Sequence, residues 1–448
     1  MEISIGTSRE RIPIVIIDLY IGLALILYYI GPVKFHSPYS AIMGVYILVF
    51  LLIVNCVYFR VIYRHKRKRC IMAIESFAYV ASCKPMPLWF YICGAIIPFF
   101  MVASSVRITG FTGLSGSLAT YMAQAYTFVQ SGGRYQEGLD LPMWIYMHFA
   151  VFVYLTIIDG ILFFKDNTVA KKILWFTSLV LLIAYFVLFR GTQKTLGDVF
   201  VIGASAILVR VYSTNSIRKK HKKKMIFMLT LLVVGFAIVL ATIMGARLNY
   251  LDEIGYSASS IHRKFWDTNL NYPLLRFLPM STRRGFATLV FYLCNGLCGL
   301  SYCLASPFTW TYGLGTFPDL ADVLGRRFGL NIYQHTYMYK AYETYGWHHS
   351  EQWHSLFPYL ASDVTFIGAL VVMGFVTYLY AICWMEILDG KGSWSIFLFS
   401  VMNIIWVYLP CNNQIFQTRT TSLVFLICLF MWIRRNKNAS GKRIRIKI

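Results

Sequence analysis

Met225–Met244 reads MIFMLTLLVVGFAIVLATIM, an unbroken apolar run without a formal charge. At about 1.5 Å of rise per residue, a helix of that length is about 30 Å long, the thickness of a bilayer's hydrocarbon core. Arg218–Lys224 (RKKHKKK) stands directly before it. A basic cluster against the end of a span stays on the cytoplasmic side, partly through the anionic leaflet. This stretch therefore predicts a membrane helix leaving the cytoplasm.

The rest of the chain repeats the pattern. Further apolar runs lie at 12–31, 41–63, 88–106, 143–165, 173–189, 196–213, 363–387, 394–411 and 416–433. The expected fold is all-α, a polytopic integral membrane protein with about ten transmembrane helices. Seven fall in an N-terminal bundle (1–245) and three in a C-terminal part (363–433), followed by a basic cytoplasmic tail (434–448). Both termini are expected in the cytoplasm. Composition agrees: 58% of residues are hydrophobic, 14% are charged and mean hydropathy is +0.58. A soluble fold needs far less apolar surface. The net charge of +23 does not point to nucleic acid, because its clusters, such as Arg64–Arg69 (RHKRKR), sit between spans. Ile12–Ile30 is too long for the apolar core of a secretory signal and reads as the first span. The cysteines are scattered, mostly in apolar runs, with no CxxC pair or metal-ligand spacing, so they read as buried thiols with no metal.

Between Ala246 and Ser362 the chain turns polar, aromatic and arginine-rich before entering the next span. Within this segment Phe286–Ser306 is apolar, yet the chain lies outside on both flanks. A single crossing is forbidden by parity, so an interfacial or re-entrant helix near 286–306 is expected. Sorted by this topology, the inner face holds 12 Arg and 15 Lys, the outer face 11 Arg and 4 Lys. Topology alone needs no arginine outside. A planar guanidinium grips phosphate with two parallel hydrogen bonds, so the bias points to an anionic group handled there.

Several groups follow from that reading. Arg190 ends an apolar run and precedes Gly191, with Lys194 and Asp198 close behind. It reads either as a phosphate ligand or as a snorkelling anchor. Arg276, Arg283, Arg284, Arg326 and Arg327 are candidates to hold a diphosphate, whose charge grows as it leaves. Arg263 and Gly132-Gly133-Arg134 lie on the same face. His348, His349, Glu351 and His354 fall within seven residues and supply candidate general bases for a sugar hydroxyl, though a plain surface loop would look alike. Asp363 reads as the N-cap of the following span or as a catalytic carboxylate. Trp310, Tyr337, Trp347 and Trp353 are candidate platforms for sugar faces, or part of an interfacial belt. Asp18 and Asp159 lie inside apparent spans and each requires a partner within the bundle. Cys70–Pro85 is mildly amphipathic. There is no glycine-rich nucleotide loop, so the donor is not expected to be a cytoplasmic nucleotide sugar.

Three local stretches stand out: Phe189-Arg190-Gly191-Thr192, Gly313-Leu314-Gly315-Thr316-Phe317 with Gly329–Tyr345 after it, and Phe357-Pro358-Tyr359-Leu360-Ala361-Ser362-Asp363 with Gly368. They resemble elements of the O-antigen and capsule repeat-unit polymerases of the Wzy type. The layout, with a long outer segment before the last helices, is similar too. The family usually has glycine two residues after that aspartate, where this chain has Thr365. The resemblance implies a metal-independent glycosyltransferase of the bacterial inner membrane, without cofactor. It would transfer a growing glycan from polyprenyl diphosphate to the next lipid-linked repeat unit at the periplasmic face, alongside a flippase and a chain-length regulator. An O-antigen ligase, acting on lipid A-core, shares the architecture. A flippase or transporter would show two similar halves and short loops, and neither is present.

Overall fold

The computed structural model describes residues 8–72, 85–109, 118, 121–122, 124–125, 141–192, 194–213, 219–253, 264–349 and 351–443. Gly132-Gly133-Arg134, His262, Arg263 and most of Cys70–Pro85 lie outside the described residues.

Thirteen helices order the described chain: α1 Ser8–Ile30, α2 Ser40–Met72, α3 Leu88–Thr109, α4 Leu141–Leu162, α5 Val169–Ala184, α6 Lys194–Ser213, α7 Lys219–Glu253, α8 Met280–Leu304, α9 Pro318–Phe328, α10 Tyr337–Tyr345, α11 Leu356–Asp389, α12 Ser393–Tyr408 and α13 Arg419–Arg443. Among the described residues nine of them, α1–α8 and α11, are long and apolar enough to cross a membrane. The all-α polytopic fold is as the apolar runs predict. α12 has only 16 residues, because it stops at a buried polar turn over residues 409–418.

α8 starts earlier than expected and is long enough to cross, so the apolar stretch at 286–306 is part of a full helix. Its first turns pack on the C-terminal part of α7: a Cβ on Gly285 would fall 1.8 Å from the Ala241 carbonyl oxygen, and Arg284 donates to Asn249. Its last turn meets the α1–α2 connection, where the Ser301 and Ser37 hydroxyls lie 2.6 Å apart. α8 is thus tied to the C-terminal part of α7 at one end and to the α1–α2 connection at the other. The same connection carries β1 (Val33–Phe35), which pairs antiparallel with β2 (Trp266–Thr268) and pins the start of the long segment.

The intramembrane acids find partners. Asp18 accepts from the Asn55 amide at 2.9 Å. Asp159 accepts from the Tyr91 hydroxyl at 2.6 Å and the Met86 amide at 3.1 Å, joining α4 to the start of α3.

α11 is broken. Thr365 has φ 66° and ψ 168°, a backbone state that belongs to glycine. The break frees carbonyls that a continuous helix would use, and a neighbour takes one up: the Thr311 amide donates to the Ser362 carbonyl at 3.2 Å. Thr365 Oγ1 accepts from the Gly368 amide at 3.4 Å, a long N-cap for the second half-helix. Thr365→Gly is expected to stabilise the fold by about 1–2 kcal/mol, because the strain removed outweighs so long a cap. A rise in the thermal midpoint in detergent, absent in Thr365→Ala, is the check.

Candidate functional site

Residues 305–317 link α8 to α9 and fold against the break in α11. Gly313 has φ 83°, the left-handed state that turns the loop. Gly315 serves differently: a Cβ there would lie 2.5 Å from Thr311 Oγ1 and 2.6 Å from the Ser362 Cβ. Only glycine lets the loop approach α11 so closely. Tyr312, just before, holds φ 56°, uncommon for a residue with a side chain.

That approach builds a cradle around Asp363. Its Oδ1 accepts from the Thr311 hydroxyl at 2.5 Å and the Gly315 amide at 2.9 Å. Its Oδ2 accepts from the Thr316 amide at 2.8 Å and the Thr316 hydroxyl at 2.6 Å. A carboxylate has about four lone-pair sites, and here all are engaged. Asp363 therefore has no acceptor capacity left for a substrate proton. It is a positioning residue, and the expectation of a catalytic carboxylate is corrected. Nor does it cap its helix, because α11 begins at Leu356 and the cap at the break is Thr365.

A second layer supports the cradle from residues 409–418. Asn413 Nδ2 donates to the Thr316 carbonyl at 2.9 Å. Asn412 Oδ1 accepts from the Tyr359 hydroxyl at 3.1 Å, and its Nδ2 donates to Gln417 at 2.9 Å. Trp310 and Tyr312, which flank Thr311 in the chain, are 54% and 64% exposed, with ring centroids 4.7 Å apart. Thr316 and Asp363 also line a cavity of about 260 Å³, walled by α11, α12 and α13 through side chains such as Leu360, Val376, Ile405, Phe425 and Leu429.

The cations divide. Tyr185–Phe189 forms a π-helical turn that ends at half-buried Arg190, and Gly191 (φ 58°) turns the chain into α6. Such turns often mark functional positions. Lys194, first residue of α6, donates to Thr418 Oγ1 at 2.9 Å and lies 3.8 Å from the Asp198 carboxylate. Arg419, next to Thr418, pairs with Asp319 at 3.1 Å. The predicted diphosphate group is spread over separate frames. Arg283 donates to the Leu278 carbonyl at 2.7 Å and also to that of Arg276, tightening the turn before α8. The Arg276 guanidinium lies over the Phe277 ring. Arg284 reaches Asn249, and Arg326 pairs with Asp322 one turn away on exposed α9, beside Arg327. Several of these arginines thus fold the segment between α7 and α11 itself.

The histidine cluster also divides. The His348 and His349 rings stack at 5.0 Å, with Tyr342, Tyr339 and Tyr333 around them. Tyr333 donates to the His349 carbonyl at 3.2 Å while His349 Nδ1 lies 3.1 Å from the Tyr333 hydroxyl. If the tyrosine proton goes to the carbonyl, Nδ1–H donates to the phenol oxygen. Nε2 then carries the lone pair. Burial, and next the neighbouring His348, hold His349 below the ordinary histidine range, so the imidazole is neutral near pH 7. His348 Nδ1 accepts from the Glu351 amide at 3.3 Å, which puts the proton of its neutral form on Nε2. Glu351 is exposed. His354 is corrected as a base. It is fully buried against Gly299 of α8, neither ring nitrogen makes a well-formed hydrogen bond, and burial, then His349, push its pKa down to about 3.

The sugar platforms are corrected in part. Trp347 is wholly buried against Phe265 and Trp266, and Tyr337 is buried against Phe366, so both are core. Trp310 is exposed, and Trp353 is half-buried on Tyr292. Thr311, Thr316, Asn412, Asn413 and Arg419 escaped the sequence reading. The signal for the asparagines was present, since Asn412-Asn413-Gln414 is a polar run between two membrane helices. Comparison with protein families, characterised proteins and solved structures yields no match.

Proposed function

We propose that this chain is a bacterial inner-membrane glycosyltransferase that polymerises lipid-linked oligosaccharide repeat units. It takes the growing glycan from polyprenyl diphosphate and adds it to the next repeat unit at the periplasmic face. One observation carries the reading: an exposed aromatic pair, Trp310 and Tyr312, and an apolar cavity within the helices meet at one cradle, that of Asp363. A substrate joining sugar to hydrocarbon uses both sides of it. The three stretches that resemble the Wzy-type polymerases support the same reading, two of them being the two halves of this cradle.

In the transfer, an acceptor hydroxyl attacks the anomeric carbon of the donor. The bond from that carbon to the diphosphate oxygen breaks, and the hydroxyl proton goes to a base. His349 Nε2 is the group whose hydrogen bonding leaves a lone pair for that proton. Cations near the leaving oxygen lower the barrier as its charge grows. The resemblance places Arg190 among them.

A strain lacking the gene tests the function. Surface glycan with a single repeat unit on the core is the expected phenotype. No repeat unit on the core would mark a ligase, and unchanged polymer would overturn both. For the base, a lowered His349 pKa means that the neutral, proton-accepting form persists below about pH 6.5. The acid limb of the transfer rate in membranes is therefore expected below that pH, and His349→Gln should cost about 100-fold or more. A limb at or above pH 7, or full activity in the variant, would remove His349 from the role.

A further inference from the structure

We infer that Lys194 and Arg419 form the phosphate end of a lipid site whose hydrocarbon end is the cavity between α11 and α13. The inference rests on the proposed lipid-linked donor and names residues for its recognition. Phe416 and Thr316 line the cavity near its polar end. Arg419 lies three residues after Phe416, and its partner Asp319 lies three after Thr316. Lys194 reaches the same place from α6 through Thr418. Two cations from separate helices are thus tied to the chain segments that carry Thr316 and Phe416, two of the residues lining an otherwise apolar slot.

Both cations are held in place yet keep donors to offer. The bond from Arg419 to Asp319 uses Nε alone, and a guanidinium carries five N–H groups. The Lys194 ammonium donates to Thr418 and pairs with Asp198 at 3.8 Å, which leaves one of its three N–H groups. The Asp363 carboxylate, which lines the slot, is compensated by four donors, so it does not repel an anion as a bare carboxylate would. A cavity of about 260 Å³ accepts the first isoprene units of a chain, and the remainder would lie in the bilayer. The ligand class is an isoprenoid chain ending in phosphate or diphosphate.

The test uses the full-length protein in detergent, with thermal protection by farnesyl diphosphate, farnesol and inorganic diphosphate as the readout. Farnesyl diphosphate should protect at concentrations at least tenfold lower than either of the others. Arg419→Gln should weaken that protection at least tenfold and leave the effect of farnesol unchanged. Its partner Asp319 is 37% exposed, so the variant loses only a surface pair and should fold. Val376→Trp, which fills the slot, should weaken farnesyl diphosphate and farnesol together. Equal protection by inorganic diphosphate, or no change in Arg419→Gln, would overturn the site. The gene-deletion phenotype is read independently. Polymer loss with wild-type affinity in Arg419→Gln would sink this site alone, and selective farnesyl diphosphate binding with normal polymer would sink the polymerase reading alone.

Discussion

Asp363→Ala is expected to abolish polymer formation and to destabilise the protein by about 3–5 kcal/mol. The variant strands three donors at once, two backbone amides and the Thr316 hydroxyl, while the Thr311 hydroxyl can turn to the Ser362 carbonyl at 2.7 Å. Bonds to a charged acceptor contribute about 1.5–3 kcal/mol each, but they share one anchor and are not additive. Asp363→Asn is the informative companion. Its amide oxygen can keep one side of the cradle, while its NH₂ faces two donors on the other. It should therefore resemble alanine more than wild type. A catalytic carboxylate predicts another pattern, with Asp363→Asn inactive yet as stable as wild type. Thermal midpoints together with glycan chain length in cells separate the two. Thr316→Val gives the scale, because it removes one hydroxyl and leaves the two amides. It should cost about 1–2 kcal/mol and only part of the activity.

The helices were legible because a membrane span is a length as well as a composition. Met225–Met244 is long enough to cross and carries no charge, and no soluble alternative competes with it. The loop half of the cradle was legible only as the glycine-rich stretch Gly313–Phe317, without the donor roles of Thr311 and Thr316. What it approaches was not. Asp363 is some fifty residues away, and its bonds are set by the break at Thr365, which a threonine hides where a glycine would have announced it. The turn at 409–418 was lost for a related reason. Apolar runs on either side merged into two spans, so Asn412, Asn413 and Arg419 looked like the edges of helices. The histidines show the opposite error. Local density suggested one cluster, but burial splits it, since a sequence does not say which imidazole faces the glycines of α8. The same holds for Trp347, an aromatic of the loop that turned into core.

That split leads to the second large effect, which is on stability. The protein is expected to lose stability steadily as pH falls from about 6.5, and His354 is expected to cause much of the slope. Its folded pKa is about 3, against an ordinary value of 6.5. Above pH 6.5 the ring is neutral in both states and contributes no pH dependence. Below it the unfolded chain takes a proton that the folded chain refuses, so folding becomes less favourable by up to 1.36 kcal/mol per unit. Between about pH 6.5 and 4.5 the loss is on the order of 3 kcal/mol, and it continues until the folded pKa is reached. Carboxylates titrate in the same window, so the difference between variant and wild type is the measurement. His354→Leu removes the titrating ring along with two polar nitrogens that make no well-formed hydrogen bond. At pH 7.5 it should be near neutral in stability, because an apolar side chain suits the pocket formed by Gly299 and Trp347. At pH 4.5 it should stand above wild type. Parallel pH curves for the two proteins would show that His354 is protonated in the folded state, and would return it to the list of accessible bases.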